Sequence, residues 1–304
     1  MPRLLSVLFC LCFAHMVSAA DSKTTHADLT AAQIVEKHVA ARGGLQAWHA
    51  VQTLSVTGKM EAGSGDSAAR SARLTRSGTG AAAKNGRANT PVDADPGTAS
   101  QQVQLPFTLQ MKRPRKSRLE IEFAGKTAVQ VYDGTNGWKV RPYLNRNDVE
   151  TFTPEEAKSE ATKADIEGPL FDYAAQGATV QLEGVEPVDQ HNAYRLKLTA
   201  KDGHVQHIWI DTQSFLDVKV EGTPRQMDGR MRSVWIYQRD FRSVQGLMIP
   251  YAYETVVEGG TRTHGMTIQT VAVNVTLDDS RFTKPQILVA ASSVPAARPT
   301  SAVK

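Results

Sequence analysis

Cysteine is nearly absent. The chain has two, Cys10 and Cys12, and both fall in the first twenty residues. Neither follows the small residues that a lipid-attachment site requires. Without that segment, a disulfide, a cysteine nucleophile and an attached lipid are all excluded. Long apolar runs are also missing. Beyond the N-terminus no stretch approaches the ~18 residues that argue for a membrane helix, so stable membrane insertion is not expected. Charge of one sign is scarce. A formal net charge of +4 is spread along 304 residues, without the concentrated basic stripe of a nucleic-acid binder. A mildly basic surface of this kind suits an anionic membrane surface but points to no partner in particular.

Catalytic patterns are lacking as well. The sequence has no HExxH, CxxC, GxSxG or P-loop. His204 and His207 are the close histidine pair, but a separation of three on a strand puts them on opposite faces, so they cannot share a metal. Asp202, Asp211 and Asp278-Asp279-Ser280 read as turn or capping residues. His38 and His49 read as solvated or capping groups. No cofactor, no metal site and no enzymatic activity are expected.

The N-terminus does carry a signal. Arg3 precedes an apolar run from Leu4 to Phe13, and Val17-Ser18-Ala19 and Ser18-Ala19-Ala20 put small residues where signal peptidase needs them. This order predicts a secretory signal over residues 1–20, cleaved near Ala19 or Ala20, and a periplasmic mature protein. The segment is too short to span a bilayer.

After it comes helix, then strand. Thr30-Ala31-Ala32-Gln33 has the form of a capping box, and Ile34, Val35, His38 and Val39 follow at helical spacing. Arg42 suits the C-terminal dipole, Gly43-Gly44 supplies the stop, and a shorter helical piece from Leu45 to Ala50 brings in Trp48. The period then becomes two, with Leu54, Val56 and Met60 on one face. Residues 62–101 are Gly, Ala, Ser, Thr, Asn and Arg with almost no large apolar side chain. They predict a disordered insertion between two strands.

Alternation resumes at Val103, Leu105, Phe107, Leu109 and Met111, and again at Leu119, Ile121 and Phe123. Val129 and Val131 follow, then the Asp133-Gly134 turn, then Trp138 and Val140. Further strands are predicted at 178–184, 193–200, 205–211, 215–221, 231–241, 247–257 and 264–275. The total is about eleven in an antiparallel sheet. One interruption stands out. Thr153-Pro154-Glu155-Glu156 is a second capping box, opening a polar helix that leads into Ile166, Leu170, Phe171 and Tyr173. Past Pro285 the composition predicts a disordered tail over 286–304. So many half-apolar strands with few helices must curl on themselves or accept the helices, and curling around those helices gives an incomplete barrel with an apolar concave side. Periodicity leaves open whether the helices fill the concave side or leave a cavity.

The order of these motifs resembles the LolA/LolB-type lipoprotein-carrier superfamily, and more closely its outer membrane lipoprotein-sorting protein type. The residues that carry the resemblance are ARGGLQAWHAVQTLSVTGKM at 41–60, MKRPRKSRLEIEF at 111–123, VYDGTNGWKVRP at 131–142 and GPLFDYAAQGATVQLEGVEPV at 168–188. AYRLKLTAKDG at 193–203, WIDTQSFLDVKVE at 209–221, YQRDFRSVQGLMIPY at 237–251 and VNVTLDDSRFTKP at 273–285 continue it. It covers most of residues 28–285 apart from the insertion, as a single domain.

The resemblance implies a mainly β, twisted antiparallel half-barrel with helices in its opening and an interior that binds acyl chains. The implied wall is Leu54, Val56, Phe107, Leu109, Met111, Leu119, Ile121, Phe123, Val129, Val131, Trp138, Leu170 and Phe171. Trp138 is expected to pack inward because it continues the apolar alternation. Lys112-Arg113-Pro114 matches the family's Lys-Arg-Pro strand end, which makes Arg113 a lid latch whose partner the sequence does not identify. The lid would be Thr153 to Asp165 with Ile166, Leu170 and Phe171.

Two functions follow. One is a monomeric periplasmic carrier that shields an acyl chain, lipid or lipoprotein and meets a membrane-bound donor or acceptor, as in outer-membrane lipoprotein sorting. The other is a sensor of the RseB type, which binds a peptide or protein partner.

Overall fold

The computed structural model describes residues 29–62, 103–144, 146–227, 229–260 and 263–286. The signal at 1–20, the insertion beyond Ala62 and the tail beyond Gln286 lie outside the described residues.

Both capping boxes form. Gln33 N–H donates to Thr30 Oγ1 at 3.3 Å and Thr30 N–H to Gln33 Oε1 at 2.9 Å, opening α1 (Ala31–Ala41). Glu156 N–H donates to Thr153 Oγ1 and Thr153 N–H to Glu156 Oε2, opening α3 (Pro154–Lys163) with proline at its first turn. Each pair satisfies two amides that the helix leaves without partners. Between α1 and α2 (Leu45–His49), Gly43 sits at φ +114°, and a Cβ there would lie 2.4 Å from the Gly246 carbonyl oxygen. Glycine is what lets this junction rest on the sheet.

The strands are β1 (Thr53–Ala62), β2 (Val103–Lys112), β3 (Lys116–Phe123), β4 (Lys126–Tyr132), β5 (Gly137–Arg141) and β6 (Arg146–Thr151). They continue as β7 (Thr179–Val188), β8 (His191–Thr199), β9 (Val205–Asp211), β10 (Asp217–Met227), β11 (Arg230–Val244), β12 (Leu247–Val257) and β13 (Thr263–Val273). All thirteen form one sheet in the order β6-β5-β4-β3-β2-β1-β13-β12-β11-β10-β9-β8-β7. Its strand pairs are antiparallel and the sheet stays open, with β6 and β7 as its edges. The count exceeds the expected total of about eleven, and β6 is the strand with no counterpart among the stretches named from the sequence. β6, an edge strand of sequence RNDVET, is mostly exposed, so it carries no apolar alternation for a sequence reading to find.

Register assigns the faces, because antiparallel partners point the same way. Leu54 opposes Met111 and Val273, Val56 opposes Leu109 and Val271, and Met60 opposes Met266. Leu109 opposes Leu119 and Phe107 opposes Ile121. This concave row meets Trp48, Ile166 and Phe171 in one apolar cluster. A second cluster lies under α1, where Ile34, Leu196 and Ile210 have no exposed surface and Ile208 and Leu170 almost none.

Candidate functional site

The segment 164–172, after α3, plugs the concave side. Leu170 and Phe171 are buried, and the Phe171 ring meets that of Trp48 edge-on at 5.7 Å. Beneath them lies a buried polar network that the sequence reading missed. His38, expected to be solvated, is 1% exposed. Its Nδ1 lies 3.0 Å from the Phe215 carbonyl oxygen and its Nε2 lies 3.6 Å from Asp217 Oδ1. Arg42 donates to Asp217 Oδ2 at 2.7 Å and to the Met248 carbonyl at 2.9 Å, and its guanidinium stacks on Trp48. These groups fix where α1 ends on the strand turns. Arg42 read in sequence only as a cation at a helix end, because its partner lies far along the chain.

Arg113 has partners on both helical segments. Its Nε donates to the Val51 carbonyl at 2.7 Å, and its Nη2 donates to the Trp48 carbonyl at 3.1 Å and pairs with the buried carboxylate of Glu167. The latch residue named by resemblance thus joins the end of β2 to α2 and to the segment after α3. The sequence identified no partner for Arg113, and in the structure its charged partner is Glu167. His49 bonds Asp172 at 2.6 Å beside it.

α3 is attached differently from α1. No residue of it is buried. Ser117 Oγ donates to Glu160 at 2.8 Å, Arg115 lies 3.8 Å from Asp165, and Lys139 forms an ion pair with Glu156. Burial opposes ionisation of Glu156, but hydrogen bonds from Lys139 and the Thr153 amide outweigh it and hold its carboxyl below the usual range.

The wall named from the sequence divides in two. Leu54, Val56, Phe107, Leu109, Met111, Leu119 and Ile121 line or adjoin the concave cluster, with Phe171 against them. Phe123 faces the same way in a neighbouring cluster with Leu105 and Ala128, and Leu170 belongs to the closed core under α1. Val129, Val131 and Trp138 stand on the other face. Val131 pairs with Arg118 and Trp138, and Val129 with Glu120 and Val140. The 280–286 segment runs over this outer side, beside Arg118, Val129 and Val140. The inward packing expected of Trp138 is therefore corrected. The inward residue of that pair is Lys139, held by Glu156, while Gly137 gives way to the Phe152 ring, which a Cβ would meet at 1.8 Å.

The helices do not close the concave side completely. Met60, Leu109, Leu119, Ile121, Tyr253 and Met266 keep intermediate exposure while packing against the apolar cluster. Tyr253 opposes Met266, which opposes Met60, so three of them form one row. Burial pushes the Tyr253 hydroxyl up to about 12, with Arg42 working against the rise and Asp217 adding to it. The ring is crowded by protein and keeps intermediate exposure on the concave side. Among the described residues there is no group of three or more His, Cys, Asp or Glu placed to hold a metal.

No protein-family model matches the chain, and no curated protein matches it in sequence. Solved structures share its fold. A LolA superfamily protein from Nitrosomonas europaea is similar with a TM-score of 0.50 at 16% identity, over 84% of this chain and 98% of that one. A DUF1329 family protein from Desulfovibrio piger is similar with a TM-score of 0.50 at 12% identity, over 84% of this chain and 97% of that one. An open antiparallel sheet curled around helices, in the strand order described, is a LolA-like fold.

Proposed function

We propose that the chain is a periplasmic lipid- or lipoprotein-binding protein that shields an acyl chain in the concave face of its half-barrel. The observation that carries this reading is the apolar row of Met60, Leu109, Leu119, Ile121, Tyr253 and Met266, which keeps intermediate exposure on the concave side. Each methylene buried there contributes about 0.8 kcal/mol, so one chain of ordinary length is held firmly. Leu54, Val56, Phe107, Met111 and Phe123 form the floor behind the row, and Phe171 and Trp48 its helical side. Val129, Val131 and Trp138 have no part in it, because they face outward.

Release requires the cover to move. Arg113, anchored on the Trp48 and Val51 carbonyls, keeps it shut through Glu167. Exchange with a membrane-bound donor or acceptor, as in outer-membrane lipoprotein sorting, would break that set of bonds.

The test is native mass spectrometry of the mature protein purified gently from a periplasm. The expected result is an added mass that organic extraction removes and identifies as lipid or acylated protein, and that falls in Leu119→Asn and Ile121→Asn variants. A bare mass that stays unchanged after incubation with lipids and acylated peptides overturns the reading and favours the sensor function.

A further inference from the structure

The β10–β11 hairpin overhangs the sheet. β10 last pairs with β9 at Val220 opposite Ile208, and β11 first pairs with β12 at Val234 opposite Val257. Farther out the two strands pair only with each other, Arg225 opposite Arg232, Gln226 opposite Met231 and Met227 opposite Arg230. The arm carries two exposed methionines, Met231 at 65% and Met227 at 39% exposure. From Thr223 to Arg232 the sequence has three arginines and one acid, Asp228. Like charges directly opposite on neighbouring strands repel, and among the described residues Arg225 and Arg230 have no ion-pair partner. The arm projects from the end of the sheet toward which Met60, Tyr253 and Met266 stand, away from the α1–α2 junction.

We propose that this arm docks the protein on an anionic bilayer surface. Methionine is flexible and polarizable, and Met227 and Met231, on opposite faces of the arm beside its turn, enter the boundary between headgroups and acyl chains as the arm inserts end-on. Arg225, Arg230 and Arg232 take lipid phosphates, whose charge removes the Arg225–Arg232 repulsion and whose oxygens fit the guanidinium fork. The inference does not rest on the shielding of an acyl chain, since a protein with a filled interior can dock in the same way.

The test is flotation of the purified mature protein with vesicles of phosphatidylcholine, with and without one-third phosphatidylglycerol. The expected result is binding to the phosphatidylglycerol vesicles alone, weakened by 0.5 M salt and not by millimolar inorganic phosphate. Two double variants, M227S/M231S and R225Q/R230Q, should each weaken it about tenfold or more with an unchanged Tm. Failure of the wild-type protein to float overturns the proposal, as does equal binding by both variants. Displacement by inorganic phosphate overturns it in favour of an anion site. Capture of an acidic protein without vesicle binding also overturns it.

Discussion

Helices α1 and α3 both begin with a reciprocal capping box, yet they hold to the sheet by opposite means. α1 buries Ile34, Val35 and His38 in a cluster that excludes solvent, and it ends on the Arg42–Asp217 ion pair. α3 buries nothing and is tied by Lys139–Glu156, Ser117–Glu160 and, just beyond it, Arg113–Glu167. Apolar burial has no charge for salt to screen or acid to titrate, whereas carboxylate ion pairs weaken with added salt and with falling pH. The first helix is part of the core. The second is held by charged and polar contacts that its surroundings can loosen, while the 164–172 segment after it is anchored by the buried Leu170 and Phe171.

This contrast breaks most visibly at Asp217. Asp217→Ala leaves Arg42 buried without its partner and should cost about 3–5 kcal/mol, read as a lower midpoint in urea unfolding. Ile34→Ala opens a cavity in the closed core and should cost about 2–5 kcal/mol by the same measurement. Equal stability of either variant and the parent would remove α1 from the core.

The smaller effects belong to α3. Arg113→Ala strands the buried Glu167 carboxylate and should cost about 1–3 kcal/mol. Its signature is local, with faster hydrogen exchange over 154–172 and unchanged protection over 31–41. Uniform acceleration across both helices would mean that the latch is merely one more structural contact.

Acid should act in the same place. The Glu156 carboxyl is held below its unfolded value, so its contribution is complete above the unfolded pKa of about 4.3. That contribution is lost as the pH falls through the folded value. Exchange over 154–163, corrected for its intrinsic pH dependence, should rise below pH 4 before that of α1 does. Leu119→Ala should be the mildest, about 1 kcal/mol, because the side chain is only half-buried, while the bound lipid mass falls markedly.

The sequence made legible whatever rests on local rules. Both capping boxes, the Gly43 stop and the parity of β1, β2 and β3 follow from spacing. Parity failed at β4 and β5 for a physical reason. β4 is apolar on both faces, with Ala128 and Tyr132 inside and Val129 and Val131 outside. What covers the outer face is a segment more than a hundred residues later, and what neutralises the inward Lys139 is a helix not yet begun. The Glu167 partner of Arg113 was illegible likewise. Nothing near a lone glutamate in a loop says that a distant arginine will reach it.

The strand order carries a mechanical consequence. β6 and β7 follow one another in the chain but stand at opposite rims of the sheet. The linker between them, α3 with its plug, must therefore cross the mouth from rim to rim, like a string across a bow. Flattening the sheet draws that string taut, and slackening the string lets the sheet curl. On the proposed reading, a ligand that wedged the rims apart would pull on the same bonds that Arg113 makes, and entry and unlatching would be one motion.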